Sequence, residues 1–443
     1  MIASRFGKLV VAIGWMFALA AFGVSVEAQE LIRPRPLNVS AMMPTDAARS
    51  GSDQKSTQEF MPTADAIRLF ESRIRTNPKD HFSMVVAAQL YLRDGRERSL
   101  HASLEKAESL LRSAIEISPT NLGAHSWLIS ALVSQHKFQD AVTQSDQALK
   151  LASGNQFILS SRADALLELG RVDDAEAIFH EIAQTVRTPG VLARLARVAE
   201  LRGKPDDAVR LVAEALEESV KHEERAQTTS WYEYRLGVLF LDQGKLDQAA
   251  EYFQKGLARN PDDTRLVNGL ARVRVAEGKL AEARKLYEKS VWSENSPTAM
   301  AEYADLLHRM GQTALAEKWL NTADDLMVRE SATTGTAHFR DRALFLLNHN
   351  RDVNQALELA KKDLQIRQDI FAHQTLAWAY FKTGDATAAL EEIGKAMTLG
   401  TRDATIYFHA SEIARACNKP DQASEWLNQA KQINPFASCL KQQ

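Results

Sequence analysis

The sequence contains only two cysteines among its 443 residues, Cys417 and Cys439. Small exported domains that rely on disulfides for stability carry many more, so a disulfide framework is excluded as the basis of this fold. Cys417 ends a predicted helix, and Cys439 lies beyond the far end of the next, antiparallel helix. A bridge between them would require the C-terminal tail to fold back. We therefore expect two free thiols, with an oxidised pair as the alternative.

Glycine and proline are also scarce, with 20 and 12 residues, and strand-like alternation of apolar and polar residues is rare. Apolar residues make up 45% of the chain and charged residues 25%, as in ordered globular proteins. These features favour an all-α fold. The net charge of -3 gives no sign of the concentrated basic surface that nucleic-acid binding requires. We therefore expect no nucleic-acid partner.

Only one long hydrophobic run is present, from Leu9 to Val26. Arg5 and Lys8 precede it, and small residues in Val26-Glu27-Ala28 follow it, as at a signal-peptide cleavage site. Residues 1–28 therefore predict a bacterial-type export signal and a periplasmic or secreted protein. The alternative is an uncleaved anchor, in which residues 9–26 hold the chain in the inner membrane.

Residues 29–62 show neither a helical nor a strand period, and they carry four prolines among polar side chains. Such a segment cannot bury enough apolar surface to fold. We interpret it as a disordered linker, after which helical patterns begin at Thr63.

No motif for catalysis, metal binding or cofactor binding is found. The chain has 11 histidines, and no two of them lie within four residues of each other. HExxH, CxxC, GxGxxG, P-loop and GxSxG sequences are all missing. We therefore predict a non-enzymatic protein without a metal or cofactor. An enzyme would need two carboxylates about 5–10 Å apart in a groove. The many charged residues fall on outer helical positions, where we expect solvated faces.

A repeated helix pair covers the rest of the chain, and residues 230–263 show it most clearly. Gly244 separates two helical patterns there, and Pro261 ends the second. Small residues stand where the helices cross. Apolar residues recur at helical spacing on both helices: Leu236, Gly237, Phe240, Ala249, Phe253 and Gly256.

The same pattern recurs at an almost constant period. The turn glycines of neighbouring units lie about 33–34 residues apart, a period typical of repeat proteins: Gly170 and Gly203, Gly244 and Gly278, and Gly278 and Gly311. We predict a half-repeat helix over 63–80, an array over 81–437 and a tail over 438–443. Repeats 1, 4 and 7 are each about seven residues longer, or two helical turns. We expect the second helices of repeats 4 and 7 to overhang.

These residues resemble the tetratricopeptide repeat, a helix-turn-helix unit of about 34 residues. The resemblance implies a right-handed α-solenoid of about ten repeats, in which each repeat contacts only its neighbours. It also implies a concave face, lined by the first helix of each repeat, that binds a protein or peptide partner.

Two groups of residues on this inner stripe are candidate partner-binding sites. The first combines arginines with aromatic and amide side chains in repeats 4 to 6, which suits an acidic or C-terminal peptide. It comprises Arg197, Trp231, Tyr234, Arg265, Asn268 and Arg272. The second is an aromatic stripe in repeats 8 to 10, which would either form an apolar pocket or pack neighbouring repeats together. It comprises Phe345, Phe371, Trp378, Phe381 and Phe408.

The sequence therefore predicts an exported interaction scaffold whose groove binds a protein or peptide. One alternative is a membrane-tethered assembly factor for an envelope complex. Others are a carbohydrate-active or hydrolytic enzyme, or an array that self-associates through exposed aromatics of repeats 8 to 10.

Overall fold

The computed structural model describes residues 62–98, 101–293, 296–334 and 339–436. The export signal, residues 29–61 of the linker, Cys439 and the C-terminal tail lie outside these ranges. The part of the chain that is described contains 21 α-helices and no strand. The protein is thus an all-helical solenoid. It begins with a single helix, α1 (Thr63–Thr76), which is followed by ten helix pairs.

The first helices of the ten pairs are α2 (His81–Arg98), α4 (Leu122–Ser134), α6 (Gln156–Glu168), α8 (Pro189–Leu201), α10 (Ala226–Asp242), α12 (Thr264–Ala276), α14 (Pro297–Arg309), α16 (Phe339–Asn348), α18 (Ile370–Lys382) and α20 (Ala404–Ala416). The second helices are α3 (His101–Ile117), α5 (Phe138–Leu151), α7 (Val172–Thr185), α9 (Pro205–Lys221), α11 (Leu246–Arg259), α13 (Leu280–Ser293), α15 (Thr313–Thr334), α17 (Val353–Ile366), α19 (Ala386–Ala396) and α21 (Pro420–Ile433).

The two kinds of connection differ because their sequences differ. Loops between repeats commonly end in a side chain that accepts a hydrogen bond from the first turn of the next helix, as Asn155 and Asp369 do. Turns within repeats contain a residue with positive φ, usually glycine. Asparagine takes this position in repeats 8 and 10, as Asn350 (φ 50°) and Asn418 (φ 55°).

The extra residues of repeats 1, 4 and 7 lengthen first helices as well as second helices, whereas we predicted longer second helices in repeats 4 and 7 only. In repeat 7 they lengthen the second helix, α15, to 22 residues. In repeat 4 they are shared between α9 and α10, with 17 residues each. In repeat 1 they do not lengthen the turn but extend both α2 and α3.

The predicted close approach of the helices in repeat 5 is confirmed around Phe253. This ring is fully buried between Gly237 of α10 and Gly269 of α12. A Cβ at Gly237 would lie 2.6 Å from Phe253 Cδ1, and one at Gly269 would lie 2.6 Å from Cζ. The two glycines therefore make the space that the ring fills.

We expect Gly237→Ala to lower the free energy of unfolding by about 1–3 kcal/mol, because the added methyl group overlaps a ring that has no free volume. Gly394→Ala is the matched control, since Gly394 is also helical and a Cβ there would meet nothing within 4 Å. Its helix should become more stable, by about 0.4–1 kcal/mol. Urea unfolding followed by circular dichroism measures both. Equal effects would contradict the packing role of Gly237.

The expectation that each repeat contacts only its neighbours is wrong. Loops that follow repeats 8, 9 and 10 contact the turns of repeats 3, 4 and 5, far earlier in the chain. Gly170 lies against the backbone of Gln368, Gly203 against Gly400, and Gly244 against Pro435. We call this contact between successive turns of the superhelix the seam. It arises because the solenoid curves back on itself after five repeats.

Candidate functional site

The concave face is formed by the first helices of the repeats. In several neighbouring repeats these helices contact each other directly, as α10 and α12 do, whereas pairs of second helices make few contacts or none. The layer with the closer neighbours has the smaller circumference and is therefore the inner one. This places both groups of sequence-predicted residues on helices of the inner layer.

The arginines of the mid-array group are already bound to carboxylates of the chain. Arg197 Nη1 lies 3.2 Å from Glu200 Oε2, and Arg265 Nη2 lies 2.6 Å from Asp263 Oδ2. Arg265 is only 5% exposed. A peptide carboxylate would have to displace these partners.

Arg272 is held in the same way, by a two-point contact with Glu302. Its Nε lies 3.0 and 3.1 Å from the two oxygens of Glu302. This carboxylate raises the pKa of the Arg272 guanidinium above its usual range. Arg272 thus joins repeats 6 and 7, whereas Arg197 and Arg265 are bound within their own helix or its cap. The role of the three arginines in partner binding stays a prediction.

The other members of the mid-array group are more buried than expected. Trp231 is 4% exposed and packs edge-on against Tyr232. Trp231 Nε1 and Asn268 Oδ1 are buried and have no hydrogen-bond partner. Tyr234 is half-buried beneath the guanidinium of Arg265, which lies 5.6 Å from its ring centre. Among Trp231, Tyr234 and Asn268, Tyr234 is therefore the side chain that a partner can reach most directly.

The aromatic stripe of repeats 8 to 10 packs largely within the solenoid. Trp378 stacks on His409 of the next repeat and on Phe381, with distances between ring centroids of 3.8 Å and 4.9 Å. Phe345 is 4% exposed and belongs to the core of repeat 8. The self-association hypothesis assumed that these aromatics are exposed, and for Phe345 and Trp378 that assumption is wrong. Phe371, Phe381 and Phe408 are half-buried.

Arg197 and Phe371 belong to different turns of the superhelix, yet they touch. The guanidinium carbon of Arg197 lies 5.2 Å from the centre of the Phe371 ring. The seam therefore brings the inner faces of repeats 4 and 9 together, which sequence spacing did not predict.

A buried cluster of charged groups lies at one end of the seam. Arg367, which is 1% exposed, contacts Glu168 Oε2 at 3.1 Å, Asp363 Oδ1 at 2.8 Å and His136 Nδ1 at 2.7 Å. Arg340 donates to Asp363 at 2.8 Å. The expectation that charged residues form only solvated faces is thus wrong for this cluster.

Arg340 also binds Asp369, which thereby belongs to the cluster. Its Nη2 donates to Asp369 Oδ1 at 2.9 Å, and its Nη1 donates to Asp369 Oδ2 at 3.1 Å. Both Asp363 and Asp369 are bound by this guanidinium, so neither is a free acid or base. The sequence carried no signal for the cluster, because Arg367 and Glu168 are 199 residues apart and pair only when the superhelix closes.

Burial raises the pKa of Glu168 from 4.5 to about 7, and the nearby Asp369 acts in the same direction. The guanidinium groups of Arg367, Arg340 and Arg197 oppose the increase. The desolvation of the buried carboxyl outweighs the attraction of these three guanidinium groups.

Hydrogen bonds hold the rest of the seam. The N–H of Gln368 donates to the carbonyl of Glu168 at 2.9 Å, Thr401 Oγ1 donates to the carbonyl of Leu201, and Asn434 Nδ2 donates to the carbonyl of Leu241 at 2.9 Å. Each carbonyl lies at the C-terminal end of a first helix, where backbone oxygens have no partner within the helix. The seam thus gives each of these carbonyls a donor from a distant repeat.

Among the residues whose placement is described, no group of three or more His, Cys, Asp or Glu could hold a metal ion. Within the same part of the chain, every helix is too short or too polar for a membrane span. The predicted anchor, residues 9–26, lies outside it.

The sequence pattern described as "Tetratricopeptide repeat" matches residues 128–191, 161–222 and 234–299. These segments coincide with the helix pairs of repeats 2 to 6. The chain contains tetratricopeptide repeats over residues 128–222 and 234–299. Proteins built from this repeat generally mediate protein–protein interactions. No curated protein sequence matches the chain.

Several solved structures resemble this tetratricopeptide solenoid at low sequence identity. The Cut9 and Hcn1 hetero-tetramer of APC/C is 15% identical, with 86% of this chain and 89% of that chain covered and a TM-score of 0.36. The human IFIT1 dimer with m7Gppp-AAAA is 15% identical, with 76% of each chain covered and a TM-score of 0.47. Yeast Tom70 is 14% identical, with 83% of this chain and 88% of that chain covered and a TM-score of 0.34.

Proposed function

We propose that this tetratricopeptide repeat protein is a non-enzymatic scaffold of the bacterial cell envelope that binds a protein or peptide on its concave face. The observation that supports it best is the inner layer of first helices, with half-buried apolar side chains such as Tyr234, Val238 and Phe381 along it. Rigid, preformed helices bind a partner with little loss of conformational entropy. The partner that these side chains suit is an extended segment with apolar anchors.

The arginines of repeats 4 to 6 support this function indirectly. Arg272 joins the first helices α12 and α14 through Glu302, whereas Arg197 and Arg265 are bound to carboxylates of their own helix or its cap. Affinity for a partner would then come from apolar contact more than from salt bridges.

The envelope location rests on residues 1–28 alone. We propose export with cleavage before Gln29, and a periplasmic or secreted mature protein. Mass spectrometry of the protein purified from its host tests this directly. A mature N-terminus at Gln29 supports it, and an intact residue 1–28 segment would support the membrane-tethered assembly factor.

Site-specific photo-crosslinking in the native host tests partner binding. We expect a photoreactive amino acid at Val238 or Phe381, on the inner layer, to capture the same protein. The control is Gln254, which is exposed on the second helix α11 and should capture nothing specific. Capture of that protein from Gln254 with equal yield would contradict binding on the concave face.

A further inference from the structure

The seam joins two different edges of the solenoid. The two helices of each repeat are antiparallel, so the turns within repeats lie along one edge, which we call the turn edge. The loops between repeats lie along the opposite edge, which we call the loop edge. Across the seam, the loops that follow repeats 8, 9 and 10 donate hydrogen bonds to the turn edge of repeats 3, 4 and 5. These two edges of the chain therefore bind each other.

The turn edge continues beyond the seam in the same conformation. Gly278 and Gly311 turn the chain in repeats 6 and 7 with φ of 75°, close to the 69° of Gly244 in repeat 5. A Cβ at Gly278 or Gly311 would meet nothing within 4 Å, whereas one at Gly244 would lie 2.8 Å from Pro435 Cδ. The turns of repeats 6 and 7 therefore expose the surface that the seam covers in repeat 5.

The acceptor that the seam uses in repeat 5 is also repeated. The carbonyl of Leu241 accepts from the N–H of Gly244 and, across the seam, from Asn434 Nδ2. The carbonyls of Val275 and His308 accept from the turn glycines of repeats 6 and 7 in the same way, at 3.1 and 2.9 Å. A carbonyl oxygen has two lone pairs. Each of these carbonyls can therefore take a second donor, as Leu241 does.

The loop edge carries a second copy of the donor loop at the N-terminal end of the array. Asn77-Pro78, which follows α1, repeats the sequence of Asn434-Pro435, which follows α21. Asn77 (φ −131°, ψ 93°) and Asn434 (φ −146°, ψ 104°) end their helices in the same backbone conformation. In both, Oδ1 accepts from the N–H two residues further on, at 3.2 and 2.9 Å. This bond orients the side chain, so that Nδ2 points away from its own loop.

Asn77 is able to make the bond that Asn434 makes. Asn77 and Pro78 are exposed, and within the described residues the only side-chain hydrogen bond of Asn77 is the one that Oδ1 accepts. The third Asn-Pro loop, after repeat 5, differs because Asn260 Nδ2 lies 3.3 Å from Asp263 Oδ2 of the same loop. The loop after α1 is therefore the one whose amide donor is available to another molecule.

We propose that copies of this chain stack head to tail, with the loop after α1 of one copy lying on the turns of repeats 6 and 7 of the next. The occupant is a second copy because the seam already shows these two kinds of edge binding each other. As in the seam, Pro78 packs against a turn glycine, and Asn77 Nδ2 donates to the carbonyl of Val275 or His308.

The stacking contact does not close on itself. It pairs a loop edge with a turn edge, so a pair of copies still has one free edge of each kind, and a heterologous contact of this type adds further copies. Only the edges are used. The concave face stays available to a partner, and the stacking does not depend on the proposed function.

Light scattering over a concentration series tests the stacking. We expect the mean mass to rise with concentration without levelling at twice the chain mass. Asn77→Asp keeps the size of the side chain and its Oδ1 acceptor but removes the Nδ2 donor, so it should weaken association about two- to tenfold. Gln254→Glu makes the same chemical change on the exposed face of α11 and should leave the mass unchanged. The mass of a single chain at every concentration, or equal effects of the two variants, would overturn the proposal.

Crosslinking of a mixture identifies the edges that meet. One chain carries Lys79→Cys, beside the loop after α1, and the other carries Lys279→Cys, in the turn of repeat 6; both positions are exposed. In both chains Cys417 and Cys439 are replaced by serine. We expect a short bis-maleimide to join the two chains in the mixture and to give few products with either chain alone. Gln254→Cys mixed with Lys279→Cys is the control and should give none. Equal crosslinking of the Lys79→Cys chain with itself, or no product in the mixture, would contradict head-to-tail stacking.

Discussion

Replacing Arg367 with methionine is expected to lower the free energy of unfolding by about 3–5 kcal/mol, the cost of removing one partner from a buried ion pair. Arg367 is 1% exposed, and it contacts both Glu168 and the fully buried Asp363. Methionine fills much of the same space but leaves Glu168 and the Nδ1 atom of His136 without their donor. Urea unfolding followed by circular dichroism measures the loss.

Two variants identify the cause of this loss. Arg171→Met is the surface control, because Arg171 lies in the turn next to Glu168 and forms a half-exposed pair with Asp174. It should cost less than about 1 kcal/mol. The double variant Arg367→Met/Glu168→Gln should cost about 1–3 kcal/mol less than the sum of the single variants, because the direct contact between these two side chains can be lost only once. If Arg367→Met also cost less than about 1 kcal/mol, as a surface pair does, the cluster would not stabilise the solenoid.

Gly203→Ala is expected to cost about 1–3 kcal/mol more than Gly278→Ala. Both glycines occupy the same turn position, with φ of 67° and 75°, so the backbone strain of an alanine is nearly equal at the two sites. Only at Gly203 does the new methyl group overlap the carbonyl oxygen of Gly400, with the carbonyl carbon at 3.2 Å. The difference in unfolding free energy between the two variants therefore measures the cost of placing a methyl group in the seam.

Hydrogen exchange shows where the Gly203→Ala effect acts. The amide of Gln368, which donates across the seam to Glu168, should exchange faster in this variant and stay protected in Gly278→Ala. Ordinary surface substitutions change the unfolding free energy by up to about 0.5 kcal/mol. If the two variants agree within that range, the close contact between Gly203 and Gly400 does not constrain the residue at position 203.

Both predictions concern the stability of the seam. Arg367 contributes attraction across the seam, and Gly203 permits the backbones to approach. If both hold, the concave face of this protein is not an open cradle but a surface partly enclosed by its own C-terminal repeats. Access for a partner then depends on the stability of the seam.

Local features of the sequence predicted much of this protein. The spacing of Gly170, Gly203, Gly244, Gly278 and Gly311 located the turns, because only a residue that tolerates positive φ ends one helix and starts the next within so few residues. Likewise, the small residues around Phe253 predicted close helix crossings. These features are local, since each involves residues within one or two repeats.

The candidate site was harder to predict from the sequence. Arg265 and Trp231 have the spacing of groove residues, but an adjacent carboxylate and a neighbouring ring bury them. Helical periodicity gives the direction of a side chain and not the identity of its partner. His136 occupies the left-handed position that glycine takes in other repeats, and its contact with Arg367, 231 residues away, has no counterpart in the repeat pattern.

The amino-acid sequence by itself determined the helix pairs and their turns, because hydrophobic spacing and backbone conformational preferences act over a few residues. The inner position of the first helices was implied only by the resemblance to the tetratricopeptide repeat. Only the tertiary structure decided that repeats 3 to 5 meet repeats 8 to 10. The curvature of the solenoid is the sum of small rotations between successive repeats, and closure depends on that sum over five of them. The charges buried at the seam could therefore not be recognised before the fold was known.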